Sequence, residues 1–221
     1  MYIRFPFGLC KFRKSNPNPS IQQLAEFAYT AGGGLIKPFQ VKAEIQELLK
    51  IVKQSSPGII LEIGTAIGGN LFMFSQIASE NARIISIDLP GGMYGGGYPR
   101  WRIPIYRFFT RDRQKLLLIR ADSHAAATRK RIESVLNGRK IDFLFIDGDH
   151  TYEGVKKDFE MYRGFVRPDG VIAFHDIVPH HADDGCGVDR FWREIRSDYK
   201  TKEIVKNWDQ KWAGIGLLRN K

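Results

Sequence analysis

Cysteine is scarce in this sequence: only Cys10 and Cys186 occur in 221 residues. Two cysteines cannot build a disulfide framework, and without a CxxC spacing they form no zinc-finger motif. This usage favours a reducing compartment, and we expect a cytoplasmic protein. A run of about 18 uncharged apolar residues, which a membrane-spanning helix needs, is also missing.

Acidic residues are few relative to basic ones, with 24 Asp+Glu against 34 Lys+Arg and a net charge of +10. The hydrophobic fraction of 43% excludes a disordered chain. The positive charge raises a nucleic-acid hypothesis. In the most basic stretch, residues 100–113, arginines alternate with aromatic side chains. Such a mixture can bind nucleic acid, hold an acidic or glycosylated small molecule, or form a surface helix.

The first 40 residues are interpreted as an N-terminal arm followed by a short helix. Phe5, Phe7 and Phe12 are interleaved with basic residues, which could touch an anionic membrane surface. We expect instead that the aromatic rings pack on the rest of the domain. Ser20 is a suitable N-cap for a helix that starts at Ile21. The arm could also serve in a homo-oligomer.

After an amphipathic helix over 38–54, short apolar strands alternate with helices. This alternation predicts an α/β fold, a Rossmann-like, doubly wound and mostly parallel sheet. Two tail segments, 201–206 and 213–218, can pair as an antiparallel hairpin. The predicted strands cover 59–63, 83–87, 116–119, 141–146 and 171–174, and the helices between and after them 69–79, 123–136, 151–163 and 188–197.

A glycine-rich insertion at 90–113 follows the second predicted strand. A long segment of this kind at a strand end is typical of binding loops. We interpret it as a lid or substrate loop, and a surface loop without a role is the alternative.

The turn after the first strand reads Glu-Ile-Gly-Thr-Ala-Ile-Gly-Gly-Asn from Glu62 to Asn70. Its glycines permit a tight turn and a close approach of backbone to ligand. The spacing differs from the dinucleotide fingerprint and from the phosphate-binding loop of nucleotide hydrolases. Glu62 would repel a pyrophosphate but suits a cationic ligand such as S-adenosylmethionine. A plain strand-turn-helix connection is the alternative.

Further carboxylates stand at the ends of the next two strands. Asp88 ends the second strand and can accept hydrogen bonds from both hydroxyls of a ribose. Asp122 and Ser123 follow the third strand, within reach of an adenine amine. They could equally be a turn residue and a helix cap.

The strongest local signal is the end of the fourth strand, where Asp147 and His150 follow a buried run. Asp176 ends the neighbouring strand, so the two carboxylates should converge and repel unless a cation lies between them. Mg²⁺ fits such a pair, with His175 as a further neighbour. His150 could act as a general base on a substrate hydroxyl. The histidines, aspartates and Cys186 of 175–186 match no zinc motif and are read as a polar loop beside the site.

Five segments together resemble class I S-adenosylmethionine-dependent methyltransferases: EIGTAIGGN, IDLP, RADS, FLFIDGDHTYEGVKKDFEMY and RPDGVIAFHDI. The likeness is greatest to macrocin and other macrolide-sugar O-methyltransferases and to cephalosporin hydroxylase-like proteins. It covers residues 40–180. It implies a seven-stranded sheet with a reversed C-terminal hairpin, and a methyltransferase domain over 41–221.

The resemblance also implies roles for individual residues. The glycine turn, Asp88, and Asp122 with Ser123 would hold the methionine, ribose and adenine parts of S-adenosylmethionine, and Asp147 would also border the cofactor. Asp147 and Asp176 would hold Mg²⁺. The residues of the glycine turn that would hold the methionine part of the cofactor are Glu62, Gly64, Thr65, Gly68 and Asn70. One departure is that relatives often place a carboxylate or Asn beside the strand-five Asp, where this chain has His175 and Ile177.

The function that follows is O-methylation of a small-molecule or sugar-containing acceptor, with His150 and Asp147 as catalytic residues and with Mg²⁺ assistance. A ribose methyltransferase acting on RNA is a rival reading. Methylation of base amines is disfavoured because Asp147-Gly148-Asp149-His150 stands where such enzymes often carry an Asn/Asp-Pro-Pro-Tyr/Phe motif. A non-catalytic cofactor-binding or scaffold protein is the second rival.

Overall fold

The computed structural model describes residues 4–92, 97–111 and 113–221. Its centre is a seven-stranded sheet in the order β3-β2-β1-β4-β5-β7-β6. The strands are β1 (Ile59–Ile63), β2 (Arg83–Asp88), β3 (Lys115–Arg120), β4 (Ile141–Ile146), β5 (Val166–His175), β6 (Lys200–Ile204) and β7 (Ile215–Arg219). The helices are α1 (Arg4–Ser15), α2 (Ile21–Gly34), α3 (Lys42–Gln54), α4 (Gly69–Ile77), α5 (Ile103–Arg107), α6 (Ala126–Leu136), α7 (Tyr152–Tyr162) and α8 (Val188–Ile195).

Strands β1 to β5 pair in parallel, and β7 runs antiparallel to both β5 and β6. The predicted mostly parallel sheet with a C-terminal antiparallel hairpin is therefore confirmed. β7 lies between β5 and β6, so the last strand of the chain is internal and β6 forms the edge.

Both faces of the sheet are covered, as in a doubly wound fold. Phe143 and Phe145 of β4 face one apolar cluster, which includes side chains of α1 to α5. Leu144 and Ile146 of the same strand face the other cluster, which includes side chains of α6 to α8. Successive side chains of a strand point to opposite faces of the sheet, so each central strand contributes to both apolar clusters. Its sequence is therefore a continuous apolar run.

The N-terminal helices belong to the first of these cores. Ser20 caps α2: its hydroxyl accepts from the Gln23 N–H while the Gln23 side chain accepts from the Ser20 N–H. Phe5 and Leu9 of α1 are buried, and the Phe5 ring contacts Phe27 and Phe109. The expected packing of N-terminal aromatics on the domain is seen at Phe5, whereas Phe7 is exposed. Across the described ranges, no helix is long and apolar enough to cross a bilayer.

Three elements begin at least three residues away from their predicted start. The helix expected over 38–54 begins at Lys42, because residues 38–41 are non-helical and Val41, the N-cap, is extended. The helix expected from 123 begins at Ala126, after a turn in which the Ala125 N–H donates to the Asp122 oxygen. Strand β5 begins at Val166, ahead of the predicted 171, and its register with β4 shifts between the pairs Ile141–Val166 and Phe143–Val171.

The insertion at 90–113 is described in part. Residues 93–96 and 112 of the expected lid lie outside the described residues. Pro90 and Gly97 form an isolated bridge, and α5 follows a short 3₁₀ turn at 100–102. The basic–aromatic stretch is partly structural, since Tyr106 and Phe109 are buried in the core.

Candidate functional site

A cavity of about 560 Å³ opens at the carboxyl ends of the five parallel strands. Residues directly after β1, β2, β3, β4 and β5 all line it. Open α/β sheets bind ligands at this edge, where the strand order reverses. Here the reversal falls between β1 and β4, and Gly64 and Asp147 stand at the ends of those two strands.

The glycine turn lets backbone segments meet at the floor of the cavity. Gly64 has a φ of +86°, and a Cβ atom there would lie 1.8 Å from the carbonyl oxygen of Asp147. Gly68 has a φ of +90° and leaves room for the ring of Tyr106, whose hydroxyl donates to the Ala66 oxygen at 2.9 Å. The arginine-rich stretch thus contributes Tyr106 as a support of this turn.

Glu62 lies beneath the turn and does not line the cavity. Burial raises the pKa of Glu62 well above its ordinary value, and the charges of Asp88 and Asp147 add to this. The Thr65 hydroxyl lies 3.0 Å from Glu62 Oε2 and also meets the Ser86 hydroxyl. Thr65, Gly68 and Asn70 border a small cleft of about 30 Å³ that also includes Gly64 and Asp147.

Asp88 is at the cavity wall with its side chain largely buried. Its Oδ2 accepts from the Tyr98 N–H at 3.1 Å. Burial raises the pKa of Asp88 to about 6, although hydrogen bonds from backbone N–H groups oppose the rise. At neutral pH the group is therefore a carboxylate that can accept hydrogen bonds from a ligand.

Asp122, Ser123 and His124 line the end of the cavity beyond β3. Asp122 Oδ1 accepts from the His124 N–H at 2.7 Å, so one of its oxygens closes a local turn. His124 Nε2 lies 3.2 Å from both the Gly154 oxygen and Asp158 Oδ1, but only the contact with Gly154 is aligned as a hydrogen bond. The Asp158 carboxylate raises the pKa of His124.

The opposite end of the cavity holds two carboxylates and an imidazole. His175 Nδ1 lies 3.2 Å from Asp147 Oδ1 and 3.2 Å from Asp176 Oδ1, and neither contact is aligned as a hydrogen bond. Burial lowers the pKa of His175, but the charges of Asp176 and Asp147 outweigh it and raise the pKa well above its ordinary value. One ligand atom from each residue lies within 4.8 Å of the other two. The structure thus brings the three expected metal ligands together.

His150 stands beside this group. Its Nδ1 is 2.5 Å from Asp176 Oδ2, and its Nε2 is 4.0 Å from Asp147 Oδ1. Burial alone would lower the pKa of His150. The hydrogen bond to Asp176 and the charges of Asp147 and Asp176 outweigh burial, so the pKa is raised. Burial also raises the pKa of Asp176, but the neighbouring histidines, His175 first, bring it well below its ordinary value.

His180 and Cys186 extend the cluster outward. His180 Nε2 lies 3.2 Å from Asp176 Oδ1, and Asp176 with Cys186 raises the pKa of His180 to about 10. Ligand atoms of His150, Asp176 and Cys186 also lie within 4.8 Å of one another. The loop expected to be merely polar therefore places an imidazole and a thiol next to the carboxylates.

The charge of the cavity is opposite to that of the whole chain. Among the described residues, no Lys or Arg lines it, despite the net charge of +10. Its aspartates are Asp88, Asp122, Asp147, Asp149, Asp176 and Asp184. Its histidines are His124, His150, His175 and His180. The six carboxylates outnumber the four imidazoles, so the wall stays net negative even where a raised pKa keeps a histidine protonated, and it suits a cationic ligand or a metal ion better than an anion.

Three site residues escaped the sequence analysis. Gln40 is buried and its Nε2 donates to Asp147 Oδ2 at 2.8 Å. Phe39 and Trp212 line the cavity although 66% and 44% of their surfaces are exposed. None of the three follows the carboxyl end of a parallel strand, so no local pattern marks them as site residues.

Curated relatives are similar over only a part of their length. An uncharacterized protein of Sinorhizobium fredii is 28% identical over 152 residues, which is 66% of this chain and 16% of that protein. An uncharacterized protein of Acanthamoeba polyphaga mimivirus is 47% identical over 45 residues, which is 20% of each chain. This chain therefore spans a small fraction of the curated relatives that it matches.

Solved structures match the fold over nearly the whole chain. An O-methyltransferase from Bacillus cereus in complex with SAH has a TM-score of 0.59 at 18% identity, covering 95% of this chain and 96% of that one. The O-methyltransferase TomG from Streptomyces achromogenes, solved with SAM, has a TM-score of 0.60 at 17% identity, with 92% and 91% covered. The TDP-rhamnose 3'-O-methyltransferase of calicheamicin biosynthesis has a TM-score of 0.59 at 17% identity, with 98% and 93% covered.

The family is shown by a sequence model described as a methyltransferase domain, which matches residues 61–177. The match begins inside β1 and ends just after Asp176, so it spans the glycine turn, Asp88 and the cluster of Asp147, His150 and His175. It covers more than half of the chain, and the cavity that we describe lies largely within it. The chain belongs to the methyltransferase domain family.

Proposed function

We propose that this protein transfers a methyl group from S-adenosylmethionine to a hydroxyl of a small, uncharged acceptor. The observation that carries the proposal is the division of one cavity into two ends. Asp88 and Asp122 stand at one end, and the cluster of Asp147, His150 and Asp176 stands at the other. A cofactor and an acceptor bound at these ends would meet near Gly64 and Asp147.

The first end has the groups that S-adenosylmethionine requires. The backbone around Gly64 can approach the methionine part closely, because nothing larger than glycine fits there. The Asp88 carboxylate would accept from the ribose hydroxyls, and Asp122 with Ser123 would border the adenine. When bound, S-adenosylmethionine supplies an electrophilic methyl group on a cationic sulfonium, which suits the aspartate-rich wall.

The second end would orient the acceptor and take its proton. A neutral His150 that donates its Nδ1 proton to Asp176 carries its lone pair on Nε2, the atom that would accept the hydroxyl proton. Asp176 fixes the orientation of the imidazole and stabilises the imidazolium after proton transfer. Asp147 would accept a hydrogen bond from the acceptor, and Gln40 holds Asp147 in place. Alignment of the hydroxyl with the methyl group then supplies much of the rate acceleration.

A divalent cation fits the group of Asp147, His175 and Asp176. The fit rests on His175, whose buried Nδ1 faces two carboxylate oxygens at 3.2 Å without an aligned hydrogen bond, so that a cation would take the place of the imidazole proton between them. Two carboxylates suit Mg²⁺, with waters and substrate completing its shell, whereas an imidazole suits Mn²⁺ or Zn²⁺ better. A bound cation would polarise the acceptor hydroxyl and lower its pKa.

The proposal for an uncharged acceptor follows from the cavity wall. The six aspartates of the wall outnumber its four histidines, and no described Lys or Arg adds positive charge, so the wall stays net negative even with every histidine protonated and would repel a phosphate group. A divalent cation would neutralise Asp147 and Asp176, which hold it, and leave the other four carboxylates. The same argument disfavours RNA as the acceptor, since binding to its backbone needs cationic contacts at the site.

Calorimetric titration of S-adenosylhomocysteine tests the cofactor assignment. We expect binding by the wild-type protein and at least tenfold weaker binding by Asp88→Ala, because the ribose loses its acceptor. Asp209→Ala is the control, because Asp209 is exposed and does not line the cavity. Absence of binding by the folded wild-type protein would reject the methyltransferase activity and favour a scaffold.

Titration of MgCl₂ and MnCl₂ into protein freed of metal with EDTA tests the cation. We expect binding that Asp147→Asn and His175→Ala abolish and that Asp184→Asn preserves, since Asp184 lines the outer part of the same cavity. Binding that instead depends on Cys186 would move the cation to the outer group of His150, Asp176 and Cys186.

A further inference from the structure

We infer that Phe39 and Trp212 form an aromatic clamp that receives a neutral ring carrying the acceptor hydroxyl. This inference rests on the proposed function and names the substrate class of the same site. Seven large hydrophobic side chains of the described residues are strongly exposed. Phe39, Leu89 and Trp212 are the members of that group that line the cavity.

Phe39 is held in place through its neighbour. Gln40 is buried, donates from its side chain to Asp147 Oδ2 at 2.8 Å, and accepts from the Tyr29 hydroxyl through its backbone oxygen at 2.6 Å. The exposed ring is therefore attached to a residue that is fixed to a carboxylate of the acceptor end.

Trp212 is anchored in the same manner from the other side. The adjacent Ala213 is fully buried, and its N–H donates to Asp176 Oδ1 at 2.9 Å. Lys211 and Ala213, which flank Trp212, have φ values of +62° and +60°. Non-glycine residues in this region are strained, and such strain persists where the surroundings enforce it, often at ligand clamps.

Helix α3 supplies part of that enforcement through Glu44. Its Oε1 accepts from the Lys206 N–H at 2.8 Å and from Gln210 Nε2 at 2.9 Å, and its Oε2 accepts from the Gly214 N–H at 3.0 Å. Three bonds from one buried carboxylate therefore fix the β6–β7 loop that carries Trp212. These bonds hold the backbone on both sides of Trp212 in one conformation.

The two rings suit a ligand with a flat apolar face. Phe39 is next to Gln40, which is bonded to Asp147, and Trp212 is next to Ala213, which is bonded to Asp176. An acceptor with its hydroxyl at these two carboxylates would therefore have its ring close to both aromatic side chains. Aromatic side chains stack on aryl rings and on the C–H face of a pyranose alike. Carboxylates outnumber imidazoles in the cavity wall, so a neutral ring fits it better than an acidic one, and a neutral aryl or sugar ring is the acceptor class that we assign.

Saturation-transfer NMR and titration with four probes test the clamp, with and without S-adenosylhomocysteine. The neutral probes are catechol and methyl α-rhamnopyranoside, and the acidic probes are 3,4-dihydroxybenzoate and galacturonate. We expect a neutral probe to bind at least tenfold more tightly than its acidic counterpart. Phe39→Ala and Trp212→Ala should each weaken that binding about tenfold. The probe that binds identifies an aryl or a sugar acceptor.

The chain offers matched controls for both substitutions. Trp208 lies in the same loop as Trp212 and is 49% exposed, and Phe108 is 49% exposed, but neither lines the cavity. Trp208→Ala and Phe108→Ala should leave probe binding unchanged. All four side chains are exposed, so the variants should fold.

Three results would overturn the clamp: no binding of either neutral probe, equal binding by Trp212→Ala and wild type, or preference for the acidic probes. Failure of the proposed function has a different signature, namely loss of S-adenosylhomocysteine binding by the wild-type protein. Probe binding that depends on Trp212 without cofactor binding would keep the clamp and reject the methyltransferase.

Discussion

His150 and Asp176 are 26 positions apart in the sequence, and their Nδ1 and Oδ2 atoms meet at 2.5 Å. The contact joins the loop after β4 to the end of β5. It fixes the orientation of the imidazole and determines which of its two nitrogens carries the lone pair that can accept a proton. A base held in this way must be neutral to act, so its pKa governs the pH dependence of the reaction.

The first prediction concerns that pH dependence. Because Asp147 and Asp176 raise the pKa of His150, the acid limb of kcat/KM should lie above the ordinary histidine pKa of 6.5. Asp176→Asn removes one of these charges and the hydrogen-bond acceptor of Nδ1, so the pKa of His150 should fall and the acid limb should move to lower pH. Asparagine also tolerates the φ of +67° at this position.

The profile should be measured without added metal, because a bound cation would alter the pKa of His150. Asp184→Asn is the control, since Asp184 lies in the same cavity and should leave the limb in place. An acid limb that is the same in Asp176→Asn and wild type would remove His150 as the base.

The second prediction concerns Asp88. Burial raises its pKa to about 6, so the group becomes protonated as the pH falls through 6 and loses the charge that accepts ribose hydrogen bonds. The affinity for S-adenosylhomocysteine should therefore fall about tenfold from pH 8 to about pH 5. Asp88→Asn should bind weakly at both values with little pH dependence.

Asp122→Asn provides the comparison, because Asp122 lines the same end of the cavity but is exposed. It should retain the pH dependence of the wild type. Calorimetry at the two pH values measures both effects, and a wild-type affinity that does not change would contradict a ribose role for Asp88.

The third prediction concerns the loop that carries Trp212. Glu44→Ala removes the acceptor of three hydrogen bonds, one of them from the buried N–H of Gly214 and two from the partly buried donors of Lys206 and Gln210. We expect the free energy of unfolding to fall by about 3 kcal/mol in urea denaturation. Glu47→Ala, on the same helix, breaks only exposed ion pairs with Lys50 and Lys202 and should cost less than about 1 kcal/mol. Equal losses in the two variants would show that Glu44 does not hold the loop.

Much of this architecture could be predicted from the sequence because strands and strand ends carry local signals. The apolar runs of β1 and β4 are read directly as buried parallel strands. Polar residues that immediately follow such strands must meet at one edge of a parallel sheet, which is how Asp88, Asp147 and Asp176 are found.

The clamp and its anchors could not be predicted in the same way. Gln40 and Asp147 are 107 positions apart, and Glu44 and Gly214 are 170 apart. Their contacts depend on how α3 and the β6–β7 loop pack on the sheet, and no local pattern encodes that packing. The net charge of +10 does not predict the charge of the cavity for a related reason: it does not say where the charges lie, and the described wall of the cavity has no Lys or Arg.

The fourth prediction concerns the close approach of the backbone after β1 to the backbone after β4, at Gly64. Gly64→Ala would place a Cβ atom 1.8 Å from the Asp147 oxygen, on a backbone with a φ of +86°. Neither backbone segment can move away without breaking a hydrogen bond. The Gly64 N–H donates to the Ile87 oxygen at 2.9 Å, and the Asp147 N–H donates to the Ile63 oxygen at 2.8 Å. We expect the free energy of unfolding to fall by at least about 3 kcal/mol, together with loss of S-adenosylhomocysteine and metal binding.

Gly8→Ala is the matched control for this substitution. Gly8 lies in helix α1, and no described atom lies within 4 Å of the added methyl group. Alanine favours a helix over glycine, so Gly8→Ala should raise the free energy of unfolding by about 0.5–1 kcal/mol. Urea denaturation and calorimetry of both variants measure the contrast. If Gly64→Ala were as stable as wild type and still bound ligand, the backbone contact between Gly64 and Asp147 could not be what brings the two ends of the cavity together.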